Sequence, residues 1–145
     1  MGKFKFRLQS FLGVKEKMEE QKKIEYGRAL QKLEEEKQRL QDFEREKASY
    51  INLCRETIEN NISPSEFRTY SDYIELLKKK MRAQVKVIEQ TAEIVERRRL
   101  ELVDAMKERK MLDTLKERDY EQFLKDELMA EQKLVDEIVS YRYHS

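Results

Sequence analysis

The sequence predicts an all-α protein that folds as one long antiparallel two-helix coiled-coil hairpin. Of the 145 residues, 42% are charged and only 39% are hydrophobic, so the apolar side chains are too few to fill a compact core. The chain also has only three Gly and one Pro, which is unlike a disordered linker. Apolar residues instead recur every three or four positions, and together these observations favour long helices that bury a narrow seam.

The first helix is predicted over about residues 8–60. From Tyr26 onwards, alternating spacings of three and four predict a coiled-coil seam with polar interruptions, formed by Tyr26, Ala29, Leu33, Glu36, Leu40, Phe43, Lys47, Tyr50, Cys54 and Thr57. Cys54, the single cysteine, is expected to act as a small buried hydrophobe. Upstream of Tyr26 the apolar spacing shifts phase, and the opening stretch KFKFRLQSFL is expected to be a frayed or extended lead-in to this helix.

The stretch NNISPSEF predicts a turn at about residues 60–64. Asn60 and Asn61 suit the C-terminal end of a helix. Ser63 suits the N-cap of the next helix, and Pro64 then stands at the first helical position, where its missing N–H is harmless. Glu66, three residues after the cap, completes a capping box. So short a connection leaves the two helices antiparallel.

The second helix is predicted from about residue 64 to about residue 141, because the 81 residues from Ser65 to Ser145 contain neither Gly nor Pro. Its predicted seam consists of Ile74, Leu77, Met81, Ile88, Val95 and Leu102, with Val85, Ala92 and Met106 on the adjoining edge, followed by Leu112, Leu115 and Phe123.

A turn centred near Ile62 pairs residue i with about residue 124 minus i, so the second helix outruns the first from about residue 120. This predicted overhang carries two apolar stripes, Tyr120, Leu124, Leu128 and Val135, and Phe123, Leu134, Ile138 and Tyr141. Phe4, Phe6 and Leu8 are expected at its base. Because an isolated soluble protein rarely exposes so much apolar surface, we expect a partner protein or a second copy to cover it.

No catalytic or metal chemistry is predicted, and neither a cofactor nor a small-molecule substrate is expected. The only histidine, His144, is the penultimate residue, so a Ser-His or Cys-His pair or a histidine metal site cannot be assembled. The three glycines are too dispersed for a phosphate-binding loop. Neighbouring carboxylates, such as Glu19 with Glu20 or those of residues 34–36, are interpreted as solvated helix surface.

Nucleic-acid binding is disfavoured, because 31 basic and 30 acidic residues are intermixed and the formal net charge is only +1. The chain is expected to be cytoplasmic. Its opening segment lacks the continuous apolar run of about 7 to 15 residues typical of a signal peptide. No stretch approaches the roughly 20 apolar residues that span a membrane.

Three stretches resemble the FliJ family of flagellar export proteins: FKFRLQSFLGVKEKMEEQ at the beginning, YSDYIELLKKKM after the turn, and EQKLVDEIVSYRY at the end. The resemblance covers nearly the whole chain. It implies an antiparallel coiled coil similar to the central stalk subunit of rotary ATPases. It also implies a non-catalytic component of the flagellar type III protein export apparatus, attached peripherally to the cytoplasmic face of the membrane at the flagellar basal body.

The resemblance further implies three partners: the hexameric export ATPase, the cytoplasmic part of the export gate, and export chaperones. The free end of the hairpin would enter the ATPase ring and promote its assembly and activity, through Phe4, Phe6, Leu8, Tyr120, Phe123, Leu124, Leu128, Val135, Ile138 and Tyr141. By position, the family's gate or chaperone surface would correspond to Phe43, Tyr50, Tyr73 and Leu77, continued by Lys80 and Gln84. Because Phe43, Tyr50 and Leu77 also occupy seam positions, core packing alone would explain them.

Two alternatives remain beside the export stalk, which is expected to be a monomer in isolation. A generic structural coiled coil would form a homodimer and bury the overhang against another copy. A prefoldin-like holdase is disfavoured because no predicted strand could build an oligomeric base.

Overall fold

The computed structural model describes residues 2–61 and 63–144 and confirms the predicted fold class. Helix α1 spans Gln9–Glu59 and helix α2 spans Pro64–His144. The two helices pack against each other as a helical hairpin, and the described part of the chain contains no strand. Neither helix has a stretch that is long and apolar enough to cross a membrane, over the residues described.

The turn uses the capping residues that the sequence predicts, with one difference in hydrogen bonding. Asn61 ends α1 in the left-handed conformation, with φ of 51°, which Asn adopts more readily than most residues. The Ser63 hydroxyl accepts a hydrogen bond from the backbone N–H of Ser65 at 3.2 Å, one residue earlier than a capping box requires. The N–H of Glu66 instead donates to the Ser63 carbonyl at 3.1 Å. Ile62, on which the predicted turn was centred, lies outside the described residues.

The buried positions of α2 follow a strict seven-residue repeat. Leu77, Gln84, Thr91, Ala105 and Leu112 are all buried, and Arg98, which continues the series, is half-buried. Of the residues predicted to adjoin the seam, Met106 is half-buried, whereas Val85 and Ala92 are exposed. Leu77 and Leu112 share these enclosed positions with the small or polar Gln84, Thr91 and Ala105, while Ile88 and Val95 are only half-buried beside them.

The chain divides into two compact units, each built from both helices. The first, which we call the turn unit, comprises residues 23–101. Its enclosed centre is a polar pair: the Gln84 side-chain amide donates to a carboxylate oxygen of Glu36 at 2.6 Å and to the Glu36 backbone carbonyl at 2.8 Å. Lys32 forms an ion pair with the same carboxylate at 3.0 Å. The Glu36 carboxylate therefore has a cation on its own helix and a neutral hydrogen-bond donor on the other.

The second unit, which we call the terminal unit, comprises residues 1–22 and 102–145. Its apolar core consists of Phe6, Leu12 and Leu112, with Phe4 and Leu8 packed against it. Beside this core, the buried carboxylate of Glu19 accepts a hydrogen bond from the Arg109 guanidinium, which also donates to Asp113 at 2.5 Å. The interpretation of Glu19 as solvated surface is therefore wrong, because this cross-helix pair allows the carboxylate to be buried.

The pairs across the seam give the register within each unit. In the turn unit, paired residue numbers add to 120 for Glu36 with Gln84 and to 119 for Glu46 with Tyr73. In the terminal unit, they add to 123 for Lys15 with Glu108 and to 128 for Glu19 with Arg109. These values lie near the 124 that the sequence predicts.

Adjacent leucines of α2 provide a test of the buried repeat. Leu77 has no exposed surface, whereas Leu76 is 45% exposed. We expect Leu77→Ala to lower the free energy of unfolding by about 2–4 kcal/mol, because it leaves a cavity in the seam. Leu76→Ala should change it by about 0.5 kcal/mol or less. Urea denaturation followed by circular dichroism measures both variants, and equal losses would contradict the assigned repeat.

The stability of the hairpin should depend on the ionisation of Glu36. The hydrogen bond from Gln84, followed by that from Lys32, lowers the pKa of Glu36 below its ordinary value of 4.5. A carboxyl whose folded-state pKa is depressed stabilises the fold above its unfolded-state pKa, and this contribution is lost as the pH falls through the folded-state pKa. We therefore expect Glu36→Gln to destabilise the protein at pH 7 and to approach the wild-type protein progressively as the pH falls below 4.5.

Denaturation curves of both proteins at several pH values measure this convergence. Glu35→Gln removes a neighbouring exposed carboxylate and serves as the control. It should match the wild type throughout this pH range. A gap between wild type and Glu36→Gln that stays constant with pH would contradict the assigned role of the Glu36 charge.

Candidate functional site

The C-terminal end of α2 presents a run of uncovered apolar side chains. Every described residue from Leu128 to His144 is exposed. Seven of its apolar side chains are between 49% and 78% exposed: Leu128 68%, Met129 69%, Leu134 58%, Val135 52%, Ile138 49%, Val139 53% and Tyr141 78%. We call this segment, residues 124–144, the terminal overhang. Its apolar side chains have no counterpart on α1, so they are free to meet another surface.

The N-terminal residues cover the base of this overhang. Residues 2–6 are not helical, and the N–H of Gln9 donates to the carbonyl of Phe6 where α1 begins. The Phe4 ring meets Tyr120 edge-on, with ring centroids 5.2 Å apart, and lies 5.5 Å from Phe123. We call residues 2–8 the N-terminal strap. Because the strap covers the helix up to Phe123, the uncovered surface begins at Leu124 instead of at about residue 120.

One residue predicted to contact an ATPase ring, Phe6, lies in the core, and three others are half-buried: Phe4, Leu8 and Phe123. Phe6 is only 7% exposed and belongs to the apolar core of the terminal unit, so it supports the fold and is not presented to a partner. Phe123 is half-buried beneath Phe4. The remaining predicted residues of the overhang are exposed: Leu124, Leu128, Val135, Ile138 and Tyr141.

A second candidate surface lies in the turn unit and is aromatic. Tyr50 of α1 packs against two tyrosines of α2, with ring centroids 4.5 Å from Tyr73 and 5.9 Å from Tyr70. The Tyr73 hydroxyl donates to the Glu46 carboxylate at 2.5 Å, and this bond raises the pKa of Tyr73 above its ordinary value of 10.0. Beside these rings, an open groove of about 390 Å³ is lined by Tyr50, Thr69, Tyr70, Asp72, Tyr73 and Leu76.

The predicted gate or chaperone surface is divided by the fold. Leu77 is fully buried between the helices, so the prediction that it contacts a partner is corrected to a core role. Gln84 is likewise buried on Glu36. Phe43, Tyr50 and Tyr73 are half-buried, and the predicted contact role of these three stays a prediction. Tyr70 and Leu76 also line the groove. Leu76 directly precedes Leu77, so the seven-residue repeat in the sequence that buries Leu77 could have indicated that Leu76 lies outside the seam.

Within residues 2–61 and 63–144, no three His, Cys, Asp or Glu side chains converge in a way that could hold a metal ion. Across the same residues, every buried side-chain nitrogen and oxygen has a hydrogen-bond partner. The grooves of the surface are open, and apolar and aromatic side chains form much of their lining. A helical hairpin with such surfaces belongs to the class of coiled-coil interaction proteins.

Residues 4–145 match the family model of the flagellar FliJ protein, and the chain therefore belongs to the FliJ family. The match covers nearly the entire chain and makes the protein a component of the flagellar protein export apparatus. No curated protein sequence and no solved structure shows significant similarity to it.

Proposed function

We propose that this protein is a non-catalytic stalk of the flagellar export apparatus. Its terminal overhang inserts into the hexameric export ATPase and promotes assembly and activity of the ring. The protein also couples the ATPase to the cytoplasmic part of the export gate and escorts free export chaperones. It works in the cytoplasm, attached peripherally to the membrane at the flagellar basal body. Membership of the FliJ family supports this assignment.

The single observation that carries the ATPase contact is the uncovered terminal overhang. Its 17 residues from Leu128 to His144 correspond to about 25 Å of helix at 1.5 Å per residue. Apolar side chains point outward along this whole length, including Leu128, Leu134 and Tyr141. A ring with a central opening can surround a single helix on all sides, which suits a segment that is exposed all round.

A second copy of the chain is the alternative partner of the overhang, because a homodimer would also bury the apolar stripes. A stalk must enter the ring as a single hairpin, so we expect the isolated protein to be a monomer. Sedimentation equilibrium over a range of concentrations separates these two possibilities. A dimer that persists on dilution favours the structural coiled coil.

The aromatic groove of the turn unit is the proposed contact for the gate protein or for chaperones. Tyrosine combines a large apolar ring with a hydroxyl and is enriched at protein interfaces. Tyr50, Tyr70 and Tyr73 also hold α1 to α2, so their removal would disturb the fold as well as a contact. Leu76 lines the same groove but is 45% exposed, so it tests binding without this complication.

The first functional prediction concerns ATP hydrolysis by the purified export ATPase. A chain lacking residues 128–145 keeps Phe123 under Phe4 and removes only exposed side chains from the described part of α2. We expect its thermal melting to shift by only about 2 °C while stimulation of hydrolysis is lost. Leu128→Asp with Val135→Asp should act in the same way, because both substitutions place charge on one apolar stripe.

The matched control is Lys133→Gln with Ser140→Asp, which makes the net charge more negative by the same two units on the side of the helix away from both apolar stripes, at 100° per residue. This control should stimulate hydrolysis more strongly than the stripe variant. If the truncated protein folds and stimulates as well as the intact one, the overhang is not the coupling element.

The second functional prediction concerns the aromatic groove. Leu76→Asp should weaken binding to the cytoplasmic part of the gate protein, or to export chaperones, by about tenfold, because it places a charge in an apolar contact. Ile94→Asp is the control: it is 42% exposed and lies on the same face, 18 residues or about 27 Å further along α2. Titration calorimetry with each partner measures the affinities. If Leu76→Asp and the wild type bind every partner with equal affinity, the groove is not the contact surface for these partners.

A further inference from the structure

A groove runs along the base of the terminal overhang, where the N-terminal strap meets α2. It has a volume of about 310 Å³ and is lined by Gly2, Phe123, Leu124, Glu127, Leu128 and Glu131. Leucine and phenylalanine side chains form its floor, and two glutamates stand on the helix beside them. The lining is therefore apolar with an acidic component.

The strap gives this groove a fixed wall. Phe4 packs on Tyr120 and Phe123, and Phe6 is buried against Leu12 and Leu112, so two aromatic side chains anchor the five non-helical residues that begin the described chain. Gly2 precedes these anchors and lies beside Phe123 and Leu124. The groove is thus a product of the fold at the end of the terminal unit, and a bare α2 helix would not have it.

The two glutamates of the groove carry uncompensated charge. Glu127 and Glu131 are four residues apart, a spacing at which like charges on a helix repel each other. Neither carboxylate has a hydrogen-bond or ion-pair partner among residues 2–61 and 63–144. The helix from residue 121 to residue 144 has six acidic residues and only three basic ones, so this repulsion is part of a net negative segment.

We infer that the groove docks a segment of the export ATPase that carries an apolar side chain flanked by Lys or Arg. The apolar side chain would cover Leu124 and Leu128, and the cation would lie between Glu127 and Glu131 and relieve their repulsion. This inference rests on the proposed function and names the chemistry that the ring must present. Charge complementarity disfavours a second copy as the occupant, because a second overhang would bring further negative charge.

The test is binding of the full-length protein to the purified export ATPase, measured by titration calorimetry at several salt concentrations. Glu127→Gln with Glu131→Gln removes two charges from the groove. We expect its affinity at low salt to fall by about tenfold and its dependence on salt to be smaller than that of the wild type. Asp126→Asn with Asp136→Asn removes the same charge from the opposite side of the helix and should bind like the wild type.

The outcomes separate this inference from the proposed function. If the groove variant binds as tightly as the wild type, or if the control loses as much affinity, the acidic groove does not select the partner. If the chain lacking residues 128–145 fails to bind while the groove variant is unaffected, the inference alone is overturned. If the intact protein does not bind the ATPase, the proposed function fails as well.

Discussion

The structure depends on hydrogen bonds between the two helices that satisfy the carboxylates buried in the seam. Among the residues that the structure describes, half of the buried ones are polar or charged: Glu19, Glu36, Thr57, Gln84 and Thr91. With only one facing helix, a buried carboxylate is satisfied across the seam, as Glu36 is by Gln84 and Glu19 by Arg109. Shifting one helix along the other would remove the cross-helix donors of Glu36 and Glu19 at considerable cost in free energy. The polar pairs therefore fix the register more strictly than interchangeable leucines would.

Because the register of the two helices is fixed, their difference in length leaves the end of α2 uncovered. Helix α1 has 51 residues and helix α2 has 81, so α2 must continue after α1 has no more residues to offer. The strap extends the covered part only as far as Phe123. Beyond it, the backbone hydrogen bonds are satisfied within the helix itself, so a single helix can project without a second element beside it. The length difference thus produces the terminal overhang, and the seam determines where the overhang begins.

The sequence predicted the fold because its strongest signals are local: the missing Gly and Pro after residue 65, the turn residues Ser63 and Pro64, and the apolar spacing of α1. Its predicted seam residues from Ile74 to Leu102 are all buried or half-buried, but hydrophobicity did not indicate the polar seam residue Gln84, which meets Glu36. Such pairing depends on a residue about fifty positions away, which periodicity within one helix does not reveal. The same limitation applies to Leu77 and Phe6, whose apolar character suits a contact surface and a core equally.

The two candidate surfaces differ in how binding is linked to folding. The rings of Tyr50 and Tyr73 join α1 to α2, so a partner that rearranged them would work against the stability of the turn unit. Leu128 and Val135 are mostly exposed and lie outside the seam between the helices, so their burial by a partner carries no such cost. A partner of the overhang can therefore be bound and released without loosening the hairpin. The overhang therefore suits a partner that binds reversibly, whereas the aromatic groove suits a partner that recognises the assembled pair of helices.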